Sequence, residues 1–245
     1  MAEKLKSEGK CPFCPLIFLK AGITKHLNQH LDEMQSQQNA KTNAYHLRIE
    51  SKYDFFPASK GMFLNLLVAG NAPLADLDEY LRNIWLECCG HLSSFCVKGK
   101  YYEDNWDDMG ADIGEKKKTK MEKVFQEGME IKYEYDFGST TELIIKVIKA
   151  VKLPLSTSVE ILSRNEPLAI MCDICKTKPA VELCAIHLDD EDGAFFCEDC
   201  AEKHAEECED FADYASMPVV NSPRMGTCAY EGGAVDMERD GVYKG

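Results

Sequence analysis

The sequence predicts an α+β fold: an antiparallel sheet with packed helices, flanked by two small modules rich in Cys and His. The antiparallel sheet is predicted chiefly from one hairpin pattern. Apolar residues alternate from Ile131 to Phe137, the chain turns at Gly138, and apolar residues return from Leu143. Helical patterns lie between the strand-like segments without regular βαβ repetition, which favours α+β. Most of the 12 Cys lie outside this central region, towards the two ends.

The central region, residues 45–152, is predicted to be the main domain. Polar stretches at 35–44 and 153–168 are predicted linkers. The flanking modules then occupy residues 1–34 and 169–232, and residues 233–245 form a loose tail. In chain order, the further predicted elements of the domain are strands at Tyr45–Ile49 and Met62–Ala69, a helix at Leu74–Cys88, a strand at Phe95–Val97 and a short helix at Met121–Phe125.

Composition limits where this chain can work. The 245 residues carry a net charge of −14. No apolar run approaches the ~20 residues that a membrane helix needs, and the first residues contain no apolar signal core, so a cytoplasmic protein is expected. In that compartment 12 Cys favour metal binding or reduced thiols over a disulfide framework.

The N-terminal module contains Cys11, Cys14, His26 and His30. The two Cys form a short knuckle, and the two His are spaced to share one face of a helix. This pattern resembles the two-Cys, two-His zinc finger of ββα type, with a loop one residue shorter than usual. The base-reading positions of that family would fall on Leu19, Gly22 and Lys25, of which only Lys25 can hydrogen-bond a base. A structural or protein-contact finger is therefore favoured, with weak backbone binding as the alternative.

The C-terminal module contains ligand pairs at short, regular spacing. An interleaved arrangement places the first and third pairs on one zinc ion and the second and fourth pairs on another, a ligand order similar to B-box, RING and MYND modules. The alternative is a single four-Cys ribbon, and Cys228 could replace a ligand of the second ion. Two to three zinc ions are expected in the whole chain. The four pairs are Cys172/Cys175, Cys184/His187, Cys197/Cys200 and His204/Cys208.

Charge distinguishes this module from the rest of the chain. Residues 172–213 contain fourteen acidic residues and three Lys, a net charge of −11. An acidic surface repels a phosphate backbone, so this end is a poor candidate for nucleic-acid contact. Such a surface could bind a basic protein partner, or it could simply keep the protein soluble.

Catalytic motifs are weak. Cys89 and His91 could be a nucleophile and its base, but Cys88 continues a helical apolar stripe, and buried Cys residues are common. Glu134 and Asp136 are predicted to share a solvated strand face. No Gly-rich phosphate loop, nucleophile elbow or deaminase signature occurs. Closed four-ligand metal sites are typical of structural zinc. These features favour a non-enzymatic protein and leave catalysis open.

A family resemblance rests on Trp85, the Gly90–Phe95 run (GHLSSF) and the Tyr133–Gly138 run (YEYDFG). These motifs resemble the Ri-plasmid Orf-three-like family over roughly residues 44–152. The resemblance implies an antiparallel α+β domain of prokaryotic type and no particular reaction. Two motifs of the family are missing: a Pro-x-Ile-Trp-Arg run, where this chain has residues 61–65 (GMFLN), and a Trp after the YDFG turn.

Together these patterns predict a non-enzymatic, multi-zinc protein that acts in protein–protein interaction or assembly. The alternative is a nucleic-acid-associated factor linked to plasmids or mobile elements. That factor would use the N-terminal finger and the basic run Lys116–Lys120.

Overall fold

The computed structural model describes residues 5–53, 59–104, 113–188, 190 and 193–235. The predicted α+β fold is confirmed. Within those residues, eight strands form the central sheet in the order β10-β4-β3-β9-β8-β5-β6-β7, antiparallel except for the β6–β7 pair. These strands are β3 (Asn43–Ser51), β4 (Leu64–Ala69), β5 (Ser93–Val97), β6 (Lys100–Glu103), β7 (Gly114–Glu115), β8 (Glu130–Tyr135), β9 (Thr141–Lys152) and β10 (Val159–Arg164).

One face of the central sheet is covered by α2 (Leu74–Leu81) and by a π-helical turn, Arg82–Leu86. Leu77, Leu81 and Trp85 are fully buried there. Pro73 precedes the helix, where its missing N–H costs nothing. A short helix, α3 (Met121–Val124), follows β7 in the chain. The predicted β8–β9 hairpin is confirmed, and its turn lies at residues 136–140.

The opposite face is covered by the N-terminal module. A short hairpin of β1 (Glu8–Lys10) and β2 (Ile17–Leu19) leads into α1 (Lys20–Gln37). Ile23, Leu27 and Leu31 of α1 are fully buried and pack in one cluster with Phe63 and Leu67 of the sheet region. Helices on both faces explain why β4 is apolar almost throughout, since a strand covered on both sides has no solvated face.

The polar stretches predicted as linkers are partly structured. Residues 153–168 contain β10, which pairs with β4 at the edge of the sheet. Helix α1 runs to Gln37 and β3 begins at Asn43, so only residues 38–42 of the predicted linker 35–44 remain between them. Ser163 and Arg164 make long-range contacts: the Ser163 hydroxyl donates to the Lys10 carbonyl at 2.8 Å, and the Arg164 guanidinium donates to the Asn221 carbonyl at 2.9 Å.

The C-terminal region combines a small sheet with one helix. Within the described residues, the sheet has the order β12-β11-β13, formed by β11 (Glu182–Cys184), β12 (Phe195–Phe196) and β13 (Ser216–Pro218). Helix α4 spans Glu198–Glu207, and a π-helical turn follows at Phe211–Ala215. None of the described helices has the length and apolar character to cross a membrane.

The segment after β13 packs on the central domain. Val219, Val220 and Tyr230 are buried in the same cluster as Trp85 and Tyr133. The predicted module of residues 169–232 therefore contributes apolar side chains of this segment to the central core. Leu183 and Phe195 of the small sheet belong to the same cluster, so the two regions share apolar surface. The predicted tail, residues 233–245, lies beyond residue 235 for most of its length and so mostly outside the described residues.

Candidate metal centres

The N-terminal hairpin and α1 bring together Cys11, Cys14, His26 and His30. Their donor atoms all lie within 4.8 Å of one another. The Cys14 Sγ lies 3.2 Å from His26 Nε2, which lies 3.2 Å from His30 Nε2. The Phe13 N–H donates to Cys11 Sγ at 3.4 Å, and the Phe18 ring stacks on His26 with centroids 4.1 Å apart. The two His share a face of α1 because they are four residues apart.

The first and third C-terminal pairs also meet. Cys172, Cys175, Cys197 and Cys200 form one set with donor atoms within 4.8 Å. Cys197 lies at the start of α4, and Cys200 lies in its first turn. The Cys172–Cys175 knuckle turns at Lys176, whose φ is +56°. The Asp173 carboxylate joins the knuckle to the start of β12 by accepting the N–H groups of Ala194 and Phe195 at 3.1 and 3.0 Å.

The second and fourth pairs form a separate set, as an interleaved arrangement requires. Cys184, His187, His204 and Cys208 bring their donor atoms within 4.8 Å. His204 lies between the rings of Phe196 and Phe211, with centroids 4.3 and 4.9 Å away. Its Nε2 is buried and has no hydrogen-bond partner among the described residues. A buried imidazole nitrogen without a partner is costly, and a metal ion would satisfy it.

Burial and neighbouring groups shift the pKa values of these side chains in different directions. Partial burial and the neighbouring thiols raise the pKa of Cys200 to about 12. Burial also raises the pKa of Cys184 and lowers the pKa of His204. By contrast, the Thr177 hydroxyl and nearby backbone N–H groups lower the pKa of Cys175 to about 6. Adjacent thiolates repel one another, and a divalent cation removes that repulsion.

A further Cys/His set was not predicted. Among the described residues, Cys88, Cys89, His91 and Cys228 also bring their donor atoms within 4.8 Å. Cys88 is half-buried and packs against the central core, as its place on the apolar stripe predicts, while its thiol also lies beside Cys89. Cys228 does not join the set around Cys184. The two halves lie about 140 residues apart, so no local spacing could reveal them.

Other residues singled out from the sequence have different surroundings from those predicted. Asp136 is only 5% exposed and accepts a hydrogen bond from Arg224 at 2.6 Å, so it does not lie on a solvated face. Burial alone would raise the pKa of Asp136, but the Arg224 guanidinium holds it below its usual range. Lys116 is fully buried beside Asp78 at 3.2 Å and therefore cannot contact a nucleic-acid backbone. Leu19 and Lys25 are exposed on α1 and its flank.

These features define the class of the protein: an α+β domain of eight described strands whose covering modules carry clustered Cys and His side chains. The family model described as "Plasmid pRiA4b ORF-3-like protein" matches residues 60–193, more than half of the 245 residues. The chain belongs to this family. The match contains the GHLSSF and YEYDFG motifs and extends into the C-terminal module as far as residue 193, so it begins later and ends later than the predicted range of 44–152.

Solved structures are also similar to part of this chain. The crystal structure of a protein of unknown function, MM3350 from Methanosarcina mazei Go1, matches with a TM-score of 0.43 and 19% identity. The similarity covers 53% of this chain and 72% of that chain. No curated protein matches this chain.

Proposed function

We propose that this chain is a structural multi-zinc protein whose C-terminal module binds a protein partner. The convergence of twelve predicted ligands into three separate sets of four carries the proposal. Zinc fits the donor chemistry, because thiolate and imidazole are its preferred ligands and four of them complete its tetrahedral shell. Thiols that remain free to bind metal require a reducing compartment, which supports a cytoplasmic location.

The donor sets favour a structural role over catalysis. A catalytic zinc keeps three protein ligands and an open position for water, whereas each of these sets already offers four donors. His204 is also fixed in place by two aromatic rings, Phe196 stacked on it and Phe211 edge-on to it, as suits a ligand with a structural role. Closed sites of this kind stabilise a small module that has too little apolar surface to fold alone.

The exposed face of α4 supports a protein partner. Glu202 and Glu206 are exposed and lie one turn apart, and Glu209 and Asp213 continue the acidic surface beyond the helix. Tyr214 nearby is 67% exposed. An exposed aromatic residue beside acidic groups suits a partner that offers basic residues around an apolar contact.

The test is a charge reversal with a matched control. The variant Glu202→Lys with Glu206→Lys changes the charge of the α4 face, while Glu79→Lys with Glu130→Lys makes the same change in net charge on other exposed positions. Affinity capture from native cell extract should recover a partner with the wild-type chain and with the control. The α4 variant should lose that partner while keeping its zinc. Equal capture by all three chains would refute the proposed face.

Binding to nucleic acid is the competing outcome. Within the described residues, the burial of Lys116 removes one cation from the basic run that this function would use. The exposed Lys25 could still contact a phosphate. Binding of the wild-type chain to generic duplex DNA at low salt, weakened by Lys25→Ala, would favour this function instead.

A further inference from the structure

The set formed by Cys88, Cys89, His91 and Cys228 has the spacing of a metal site. Cys89 Sγ lies 3.8 Å from Cys88 Sγ and 3.6 Å from Cys228 Sγ. His91 Nε2 lies 2.9 Å from Cys89 Sγ and 3.3 Å from Cys228 Sγ. Sulfur atoms bound to one tetrahedral zinc, at ~2.3 Å each, are ~3.8 Å apart. A disulfide would instead need a separation of ~2.05 Å.

Arg224 complements the negative charge of this set, while the Asp136 carboxylate that holds Arg224 also lies 3.5 Å from His91 Nε2. Three thiolates, one neutral imidazole and a divalent ion carry a net charge of −1. The guanidinium of Arg224, which is fully buried, lies 3.6 Å from Cys88 Sγ. Arg224 is itself held by Asp136 at 2.6 Å and by the Ser139 carbonyl at 2.6 Å. Such support of a ligand by fixed neighbours is characteristic of built metal sites.

The backbone is shaped to present the donors. Gly90, with φ of +80°, lets the chain turn between Cys89 and His91. Cys228 and Ala229 have φ of +54° and +52°, a conformation that costs free energy for residues with a side chain. Two consecutive residues of this kind require surrounding contacts that hold them. A bond from Cys228 to a metal would provide such a contact.

We propose that Cys88, Cys89, His91 and Cys228 bind a fourth zinc ion, which clasps the C-terminal segment to the central domain. The first three donors follow the π-helical turn at Arg82–Leu86, and the last lies on residues 219–235. Around the clasp, the Ser222 hydroxyl donates to the Trp85 carbonyl, and the Val235 N–H donates to the Asn83 carbonyl at 3.0 Å. The metal adds to the packing, the hydrogen bonds and the Arg224–Asp136 ion pair that already join the C-terminal segment to the central domain.

The proposed fourth site is more exposed to solvent than the other three metal sites. Cys89 and Cys228 are exposed, whereas each of the other sets contains at least one buried Cys. An exposed site exchanges its ion more readily, so this zinc should be the first that a chelator removes.

Metal counting tests the proposal on the whole chain. Native mass spectrometry of reduced protein, loaded with zinc alone, should find four ions in the wild type and three in Cys228→Ser. The variant Cys96→Ser is the matched control, because Cys96 lies outside every set, and it should keep four. His91→Cys should also keep four, since a fourth thiolate replaces the imidazole, while His91→Ala should lose one.

The outcomes separate this proposal from the proposed function. Three ions in both the wild type and Cys228→Ser would overturn the clasp and leave the other zinc sites intact. The proposal would also be overturned if the chain, purified under reducing conditions, contained a disulfide bond between Cys89 and Cys228. If Cys228→Ser fails to fold, the count for the wild type and for the two His91 variants decides the question.

Amide hydrogen exchange tests separately whether the fourth ion holds the C-terminal segment on the central domain. Removing the fourth ion should raise amide hydrogen exchange in residues 219–235 while leaving Cys11–His30 protected. Unchanged protection of residues 219–235 after loss of one ion would show that the metal does not hold this segment.

Discussion

The N-terminal Cys/His set and the Cys88–Cys228 set differ in how the chain assembles them. The first draws its four donors from Cys11–His30, one hairpin and the start of one helix. The second joins a turn after α2 to a segment about 140 residues later. Local geometry therefore accounts for the first set, whereas the second exists only after the central core has formed. Both sets lie where a terminal segment packs against the central domain.

The two sets are expected to differ in how far their assembly depends on the folding of the central domain. Donors from a single hairpin and helix can meet without the rest of the molecule, as they do in isolated zinc fingers. Donors that come from opposite ends of a domain need its buried contacts first. Disturbing the packing should therefore affect the two sets unequally, and four predictions test this.

The largest expected effect comes from Arg224→Met. The substitution removes the cation beside Asp136, which is 7% exposed by side chain. An uncompensated buried charge costs about 3–5 kcal/mol, measurable as a lower free energy of unfolding in urea. Adding Asp136→Asn should recover part of that loss. A loss below about 0.5 kcal/mol would show that the C-terminal segment adds little to the core.

Leu27→Ala tests the docking of α1 on the sheet. Leu27 is fully buried, so the truncation should lower the free energy of unfolding by about 2–5 kcal/mol. The N-terminal metal should remain bound, because none of its ligands changes. The control Lys25→Ala, on the exposed side of the helix, should change stability by less than about 0.5 kcal/mol. Loss of the metal in Leu27→Ala would show that the N-terminal Cys/His set depends on packing as much as the Cys88–Cys228 set does.

The buried His46 predicts a pH dependence at the same junction. Its Nδ1 lies 2.7 Å from the Asn28 Oδ1 of α1, and its Nε2 lies 3.0 Å from the Asn65 Oδ1 of β4. Burial lowers the pKa of His46 to about 4, below its ordinary 6.5. Between those values the unfolded chain binds the extra proton, so stability falls as the pH drops from 6.5 to about 4.

The expected loss from His46 is about 3 kcal/mol over that interval. It is measured as the difference in unfolding free energy between wild type and His46→Gln at several pH values. The metal ligands titrate in both chains, so their contribution cancels in the difference. Parallel curves for the two chains would contradict the prediction.

The smallest effect is expected for Lys10→Ala. The Lys10 Nζ lies 2.9 Å from Glu166 Oε2, but its side chain is 64% exposed. Water and salt screen such a pair, so the free energy of unfolding should fall by no more than about 1 kcal/mol. A larger loss in urea unfolding would mean that this ion pair, rather than the apolar face of α1, holds the N-terminal module.

Much of the fold could be predicted because its signals are local. Alternation identified β3 and the β8–β9 hairpin, and helical spacing after Pro73 identified α2. The edge strand β10 was missed, since Ser and Pro residues around it are typical of a linker. Its pairing with β4 is a tertiary contact that composition cannot reveal.

The sequence by itself determined the twelve Cys and His residues whose short spacings predict metal sites, because donors a few residues apart meet through local backbone geometry. Only the tertiary structure decided that α1 covers the sheet, that Lys116 is buried, and that apolar side chains of residues 219–235 pack into the central core. It also decided that Cys228 meets Cys89, because the packing of Val219, Val220 and Tyr230 brings together residues that are remote along the chain.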